Sequence, residues 1–344
     1  MESNKRSIYL FFGLALTALF IANLIYGAVS IPLREVTGIL LGRKTDNAAW
    51  EFIILQSRLP QAVTALLAGS SLAVSGLMLQ TLFRNPLAGP SILGISDGAN
   101  FGVALVMLFF GSSISFFSSN SFSGSVAMIM AAFAGACVVL GVIIYFSTKI
   151  TSPVMLLIIG IMVGYLASSA IAILNYFSTA DRVHAFVMWG MGDFSSVSYE
   201  RLPLFMFCSL SGLCMAIMMI KPLNALLLGE MYASNLGIKV KRVRLFILIC
   251  TGFLTATITS YCGPISFIGM AVPHIARLTL GSSIHNRLLP VTILAGASVA
   301  LVCNILTVIP GMEGILPINA ITPIVGAPVI IYVIINRKNN TYFN

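Results

Sequence analysis

Between residues 58 and 102 the chain reads RLPQAVTALLAGSSLAVSGLMLQTLFRNPLAGPSILGISDGANFG. An apolar run rich in small residues stops at Arg84, Asn85 and Pro86, then resumes as a second apolar run. Unpaired backbone amides are costly in hydrocarbon, so such a segment is stable in lipid only as helix, which satisfies them internally. A helix that spans, breaks at a charged turn and re-enters through glycine and proline suits a chain that passes something through a membrane. The surroundings agree: 58% of the 344 residues are hydrophobic and 8% are charged, against about 25% charged in soluble domains.

A spanning helix needs roughly 20 apolar residues. Hydrophobic runs bounded by charges, Pro and Gly give ten candidate spans, at 8–29, 58–82, 91–111, 123–147, 153–177, 201–220, 245–262, 267–276, 288–310 and 319–335. The eighth is too short to cross straight. The first follows Lys5 and Arg6, exceeds the usual h-region of a signal peptide and has no convincing small-residue cleavage site, so it reads as an uncleaved span. No linker or low-complexity tract divides the sequence, and one integral membrane domain over 1–344 is expected.

The net charge of +9 is spread over loop ends and not gathered with aromatics, which argues against nucleic acid. The positive-inside rule accounts for it. With a cytoplasmic N-terminus, thirteen of the 19 Lys and Arg face that side: Lys5, Arg6, Arg84, Lys149, Lys221, Lys239, Lys241, Arg242, Arg244, Arg277, Arg287, Arg337 and Lys338. Both termini are then cytoplasmic, as an even number of spans requires.

Signs of enzyme chemistry are sparse. Gly42, Arg43, Lys44 and Thr45 resemble a fragment of a phosphate loop but lack the preceding glycine. The three histidines, His184, His274 and His285, form no HExxH and no paired Cys/His spacing, so no metal site is expected. Cys137, Cys208, Cys214, Cys250, Cys262 and Cys303 read as buried free thiols. Asp97 is the acidic residue placed well within a span, where hydrogen bonding to local backbone donors competes with a functional role.

Two patterns speak of architecture. The stretch from Gly76 to Gly98 has an echo from Gly252 to Gly269, in each case a long span, a Pro break and a short span entered through Leu-Gly or Ile-Gly. With one break on each side of the membrane, this is the pattern of inverted repeats with interrupted helices. Gly69, Ala73 and Gly76 recur on one helical face and would admit a second helix at close range.

Residues 222–244 form the most distinctive water-facing element. Leu226, Leu227, Leu228, Met231 and Leu236 fall at near-helical spacing, and Gly229 and Gly237 permit sharp turns. An amphipathic helix pair there would bury its apolar side against a partner protein or lie in the headgroup layer, which the basic tail from Lys239 to Arg244 also suits.

Four ordered motifs, RLPQ…SLAVSGLMLQTLFRNPLAGPSILGISDGA, LNALLLGEMYASNLGI, GPISFIGMAVPHIARL and GILPINAITPIVGAPVIIYVI, resemble the FecCD family over nearly the whole chain. These are the membrane permeases of ATP-binding-cassette (ABC) importers for ferric siderophores, haem and cobalamin. The resemblance implies an all-α protein of about ten spans in the cytoplasmic (inner) membrane, a second permease copy or paralogue, and a periplasmic or lipid-anchored binding protein. It also implies a cytoplasmic ATPase dimer, through which alone ATP and Mg would act, the chain itself having no catalytic residues and no covalent cofactor. Ferric siderophore is the expected cargo, with haem or cobalamin as alternatives.

Carried over residue by residue, Leu226, Leu228, Gly229, Glu230, Ala233, Leu236 and Gly237 resemble the helices that couple such permeases to their ATPase, which favours a partner protein for 222–244. Arg58 matches an arginine on the outer face that meets the binding protein. Gln61 stands where the family has a second arginine, and Asn304 and Thr307 where many relatives place an Asp and an Arg. Span five is expected to line the pathway, with Ser152 and Pro153 near its cytoplasmic gate and Ser168, Ser169 and Asn175 along it. Arg84, Asn85 and Pro86, and Pro273, His274 and Arg277, are structural turns or anchors. The competing reading is an ion-coupled secondary transporter or channel, whose mark would be paired ionisable residues within the spans.

Overall fold

The computed structural model describes residues 2–27, 29–43, 47–109, 122–150, 152–308 and 314–335. Lys44, Thr45, Arg337 and Lys338 lie outside them, as do the side chains of Lys5 and Arg6. In chain order the helices are α1 (Glu2–Ile25), α2 (Leu33–Leu40), α3 (Ala48–Phe52), α4 (Leu59–Leu82), α5 (Ile95–Ala104), α6 (Phe122–Lys149), α7 (Pro153–Phe177) and α8 (Ala180–Gly190). There follow α9 (Leu202–Met218), α10 (Ile220–Leu227), α11 (Glu230–Asn235), α12 (Val240–Cys262), α13 (Ile268–Leu280), α14 (His285–Leu306) and α15 (Ile318–Ile335). No strand forms among the described residues.

Six segments are long and apolar enough to cross a bilayer: Ser7–Ile25, Ala48–Leu82, Gly124–Lys149, Pro153–Phe177, Val240–Cys262 and His285–Leu306. A seventh is the pair α9 and α10, bent by 50°, and three shorter apolar helices, Ile95–Phe109, Ile268–Leu280 and Ile318–Val333, fill the remaining predicted spans. The protein is thus an all-α, multi-pass membrane protein. Its second span is longer than the sequence suggests: α3 runs through a π turn, Ile53–Arg58, into α4, making 35 continuous residues. Pro60 falls directly after the π turn, at the second position of α4, and the helix continues through it.

Helix α4 is the central pillar, with 89% of its most apolar window buried against 17% for α7. A β-carbon at Gly69 would collide with the Gly296 carbonyl of α14, and one at Gly76 with the Gly269 carbonyl of α13. The small-residue face therefore serves two neighbours, Gly69 and Ala73 facing α14 and Gly76 facing α13. Helix α5 is held in the same way, Gly98 and Gly102 against Gly135 and Ala131 of α6, and Gly94 against Gly160 and Gly164 of α7.

The two echoing segments have matching structures. After α4 the chain turns at Arg84 (φ 46°) and passes a one-turn 3-10 helix, Pro90–Leu93, before Gly94 (φ 71°) starts α5. After α12 it turns at Gly263 (φ 73°) and Phe267 (φ 66°) before α13. The breaks lie at opposite ends of the bundle. Thr81, at the end of α4, contacts His285 at the start of α14, whereas Gln61, at its beginning, contacts Asn304 at the other end of α14. The α12 break meets the start of α15, with Asn319 bonding Pro264 O and the Ser266 amide. We call the end bearing Arg84, Lys221, Glu230, Lys239 to Arg244 and Arg277 the basic end.

Candidate functional site

At the basic end α9 bends into α10, whose Leu223 and Leu226 are buried, so Leu226 anchors the element and is not part of its outer surface. Asn224 fixes α10 to the bundle. Its Oδ1 accepts from the His285 backbone N–H (2.7 Å) and lies 3.2 Å from His285 Nδ1, while its Nδ2 donates to Asn286 Oδ1 (2.7 Å). On the other side of the ring, His285 Nε2 lies 2.9 Å from Thr81 Oγ1. His285 is thereby a buried structural bridge between α10, α14 and α4.

Gly229, at φ 103°, turns the chain from α10 into α11, a conformation closed to most side chains. Helix α11 ends in a Schellman arrangement in which Ile238 N–H bonds Ala233 O and Gly237 adopts φ 81°. Ala233 is buried, whereas Leu228 (62% exposed), Met231 (85%), Tyr232 (52%) and Leu236 (58%) form an open apolar surface. Unlike the lipid-facing helices, this surface is framed by polar and charged groups: Arg84, Glu230 and Asn235 line one hollow with Pro153, Leu228 and Met231. Glu230 pairs with Arg244 of α12 at 2.7 Å, and the same guanidinium donates to Ile150 O just beyond α6 at 3.1 Å.

The Arg84, Asn85, Pro86 turn is internally bonded, Asn85 Oδ1 accepting from the Leu87 amide at 2.9 Å. His274 Nε2 lies 2.8 Å from Pro86 O, and Arg277 donates to Gln80 Oε1 at 2.6 Å while Gln80 Nε2 donates to Met270 O. His274 and Arg277 thus tie α13 to the end of α4 from within the bundle, and with Pro273 they lie inside α13, not in a turn after it as the sequence suggested. Ser152 caps α7, accepting from the Met155 amide, and Pro153 occupies the first helical position. Ser168 and Ser169 are exposed on α7, while Asn175 is half-buried.

At the opposite end Arg58, expected to meet the binding protein, is buried within this chain. The π turn aims it inward, where it is buried and donates to Leu24 O (2.9 Å), Ile25 O (2.7 Å) and Val29 O. These carbonyls lie at and just beyond the C-terminus of α1, whose last carbonyls have no intrahelical donors and attract a cation. Gly27 leaves the space the guanidinium fills. Gln61 and Asn304, the neutral residues at expected charge positions, bond each other at 3.1 Å, and Asn304 continues to Asn23 at 2.7 Å. Thr307 Oγ1 donates to Asn304 O.

Two lesser expectations are also corrected. Asp97 sits in the first turn of α5 with its carboxylate packed against Gly164, and no backbone hydrogen bond to it forms among the described residues. Of the cysteines, Cys250, Cys262 and Cys303 are buried, but Cys137 and Cys214 are exposed. No group of metal-ligating residues forms among the described residues. The residues missed by sequence reasoning are Asn224, Thr81, His285 as a bridge and Arg244 as a tie. Their partners lie 14 to 204 positions away, which no local periodicity exposes.

The chain is 34% identical to the vitamin B12 import system permease protein BtuC of Klebsiella pneumoniae over 85% of each chain. It is 33% identical to the molybdate import system permease protein MolB of Haemophilus influenzae over 92% of each. Among solved structures, a transporter assigned to the metal-chelate ABC type, in an inward-facing conformation, superimposes with a TM-score of 0.81 at 28% identity, covering 97% of this chain and 99% of that one. The model of the FecCD transport family matches residues 15–336, and the chain belongs to that family.

Proposed function

We propose that this ABC importer permease carries a bulky metal chelate, a ferric siderophore first, with haem and cobalamin as the other members of the class. The supporting observation is α7. From Pro153 to Phe177 it has no charged side chain, and its open face presents Ile158, Met162, Tyr165, Leu166, Ser168, Ser169 and Ile173. A wall of apolar and small hydroxyl groups guides a bulky cargo without holding it. A bare oxyanion such as molybdate would call for basic or N–H donors along the route.

The apolar surface of α11 is the docking face for a cytoplasmic ATPase, and a binding protein delivers cargo at the opposite end. ATP-driven closure of the ATPase pair would shift α10 and α11 and switch the pathway from outward to inward access. A second permease copy would complete the pathway across α7. The test is uptake by proteoliposomes holding the permease, its ATPase and its binding protein, offered labelled ferric hydroxamate, haem, cobalamin or molybdate. ATP-dependent accumulation of one of the chelates is expected, and uptake confined to molybdate would overturn the substrate class.

A further inference from the structure

Arg244 occupies an unusual junction. It is 6% exposed, yet it reaches two elements that do not follow one another in sequence: Glu230 at the start of α11 and the carbonyl of Ile150 between α6 and α7. Glu230 itself is 37% exposed and stands beside Met231, the most exposed residue of the open surface. One guanidinium therefore joins the docking helix to the chain segment from which α7 starts. The planar fork of arginine can serve two acceptors at once in fixed geometry.

The two halves of the basic-end element are held differently. Helix α10 is pinned to α14 and α4 through Asn224 and His285, whereas α11 begins after the turn at Gly229 and is fastened by Ala233 packing and by the Arg244 pair. A push on α11 thus has a stiff path to the α6–α7 junction and a hinge on its other side. Helix α7 lies close to the segment before it, Gly160 against Ile92 and Leu93 of the 3-10 helix and Gly164 against Gly94 and the Asp97 carboxylate.

We infer that Arg244 is a positioning residue that transmits displacement of α11 to the start of α7, through simultaneous bonds to Glu230 and Ile150 O. The inference deepens the proposed function, since it takes α11 as the element on which a partner acts. It is nevertheless testable on the chain alone.

The experiment is hydrogen exchange of the purified permease in nanodiscs, followed at residues 147–156, with Glu230→Gln, Arg244→Met and the double variant. Glu230 does not bond Ile150, so if force passes through Arg244, Glu230→Gln should speed exchange at 147–156 by roughly tenfold. In the Arg244→Met background the same change should add nothing. The double variant removes both charges, avoids an unpaired buried cation and keeps the comparison open should a single variant fold poorly. Unchanged exchange at 147–156 in Glu230→Gln, or equal and additive effects of the two changes, would overturn the inference.

A second measurement uses the full complex. The swapped variant E230R/R244E can rebuild the ion pair, but its carboxylate at 244 cannot donate to Ile150 O. Import per ATP hydrolysed is expected to fall at least fivefold, whereas import per ATP equal to the unaltered complex would sink the transmission role. If the unaltered complex shows no ATP-driven import, the permease reading fails, and the exchange measurement on the chain alone still decides whether Arg244 couples α11 to the junction.

Discussion

A β-carbon on Gly76 would occupy the space of the Gly269 carbonyl, and the obstacle is backbone, which cannot swing aside as a side chain can. Overpacking a core costs roughly 1–3 kcal/mol when side chains can adjust, so Gly76→Val should exceed that range and lower the thermal midpoint of the purified protein. Gly141→Ala, where nothing lies within 4 Å of the added carbon, should leave the midpoint unchanged or slightly raised. Equal losses at both positions would show that the α4–α13 contact is not what the glycine serves. Spacing alone exposed the close approach at Gly69, Ala73 and Gly76, because residues three and four apart share a helical face. Arg58 was legible only as a charge at a span end. Its partners, Leu24, Ile25 and Val29, are brought to it by the packing of α1, and the π turn that re-aims it leaves no mark in composition.

Helices repeat this division between what a pattern carries and what packing adds. The break after Arg84 and its echo after Gly263 were readable because Gly and Pro mark turns locally. Short helices α2 and α8 escaped, being too short to build an apolar run. The amphipathic stretch from Leu226 to Ile238 was visible as one unit, but its division into an anchored α10 and an open-faced α11 depends on Asn224 meeting His285. That division makes a sharp prediction about docking. Met231 is 85% exposed and so has little burial to lose. Met231→Asp should therefore leave the permease folded, with an unchanged thermal midpoint, while co-purification of the ATPase drops at least tenfold. Leu226→Asp, by contrast, buries a charge in the anchor and should reduce the yield of folded protein itself. Full ATPase recovery with Met231→Asp would exclude the α11 surface as the docking face.

For the molecule as a whole, charge and topology constrain each other. The basic end gathers Arg84, Lys149, Lys221, Lys239, Lys241, Arg242, Arg244, Arg277 and Arg287, and the positive-inside rule leads us to expect it on the cytoplasmic side. The two breaks lie at opposite ends of the bundle, the α4 break at the basic end and the α12 break beside the start of α15. Orientation is open to direct measurement, since both ends carry exposed loop positions. Tyr199, between α8 and α9, is 50% exposed at the end opposite α11, and Leu236 is 58% exposed at the basic end. In a background with the exposed Cys137 and Cys214 replaced by serine, a membrane-impermeant maleimide should label Tyr199→Cys on intact cells or spheroplasts. Leu236→Cys should react only after permeabilisation, and less once the ATPase is bound. Labelling of Leu236→Cys from outside would invert the molecule. The α11 surface would then face away from any source of ATP, and the division of labour between docking end and delivery end would fail together with it.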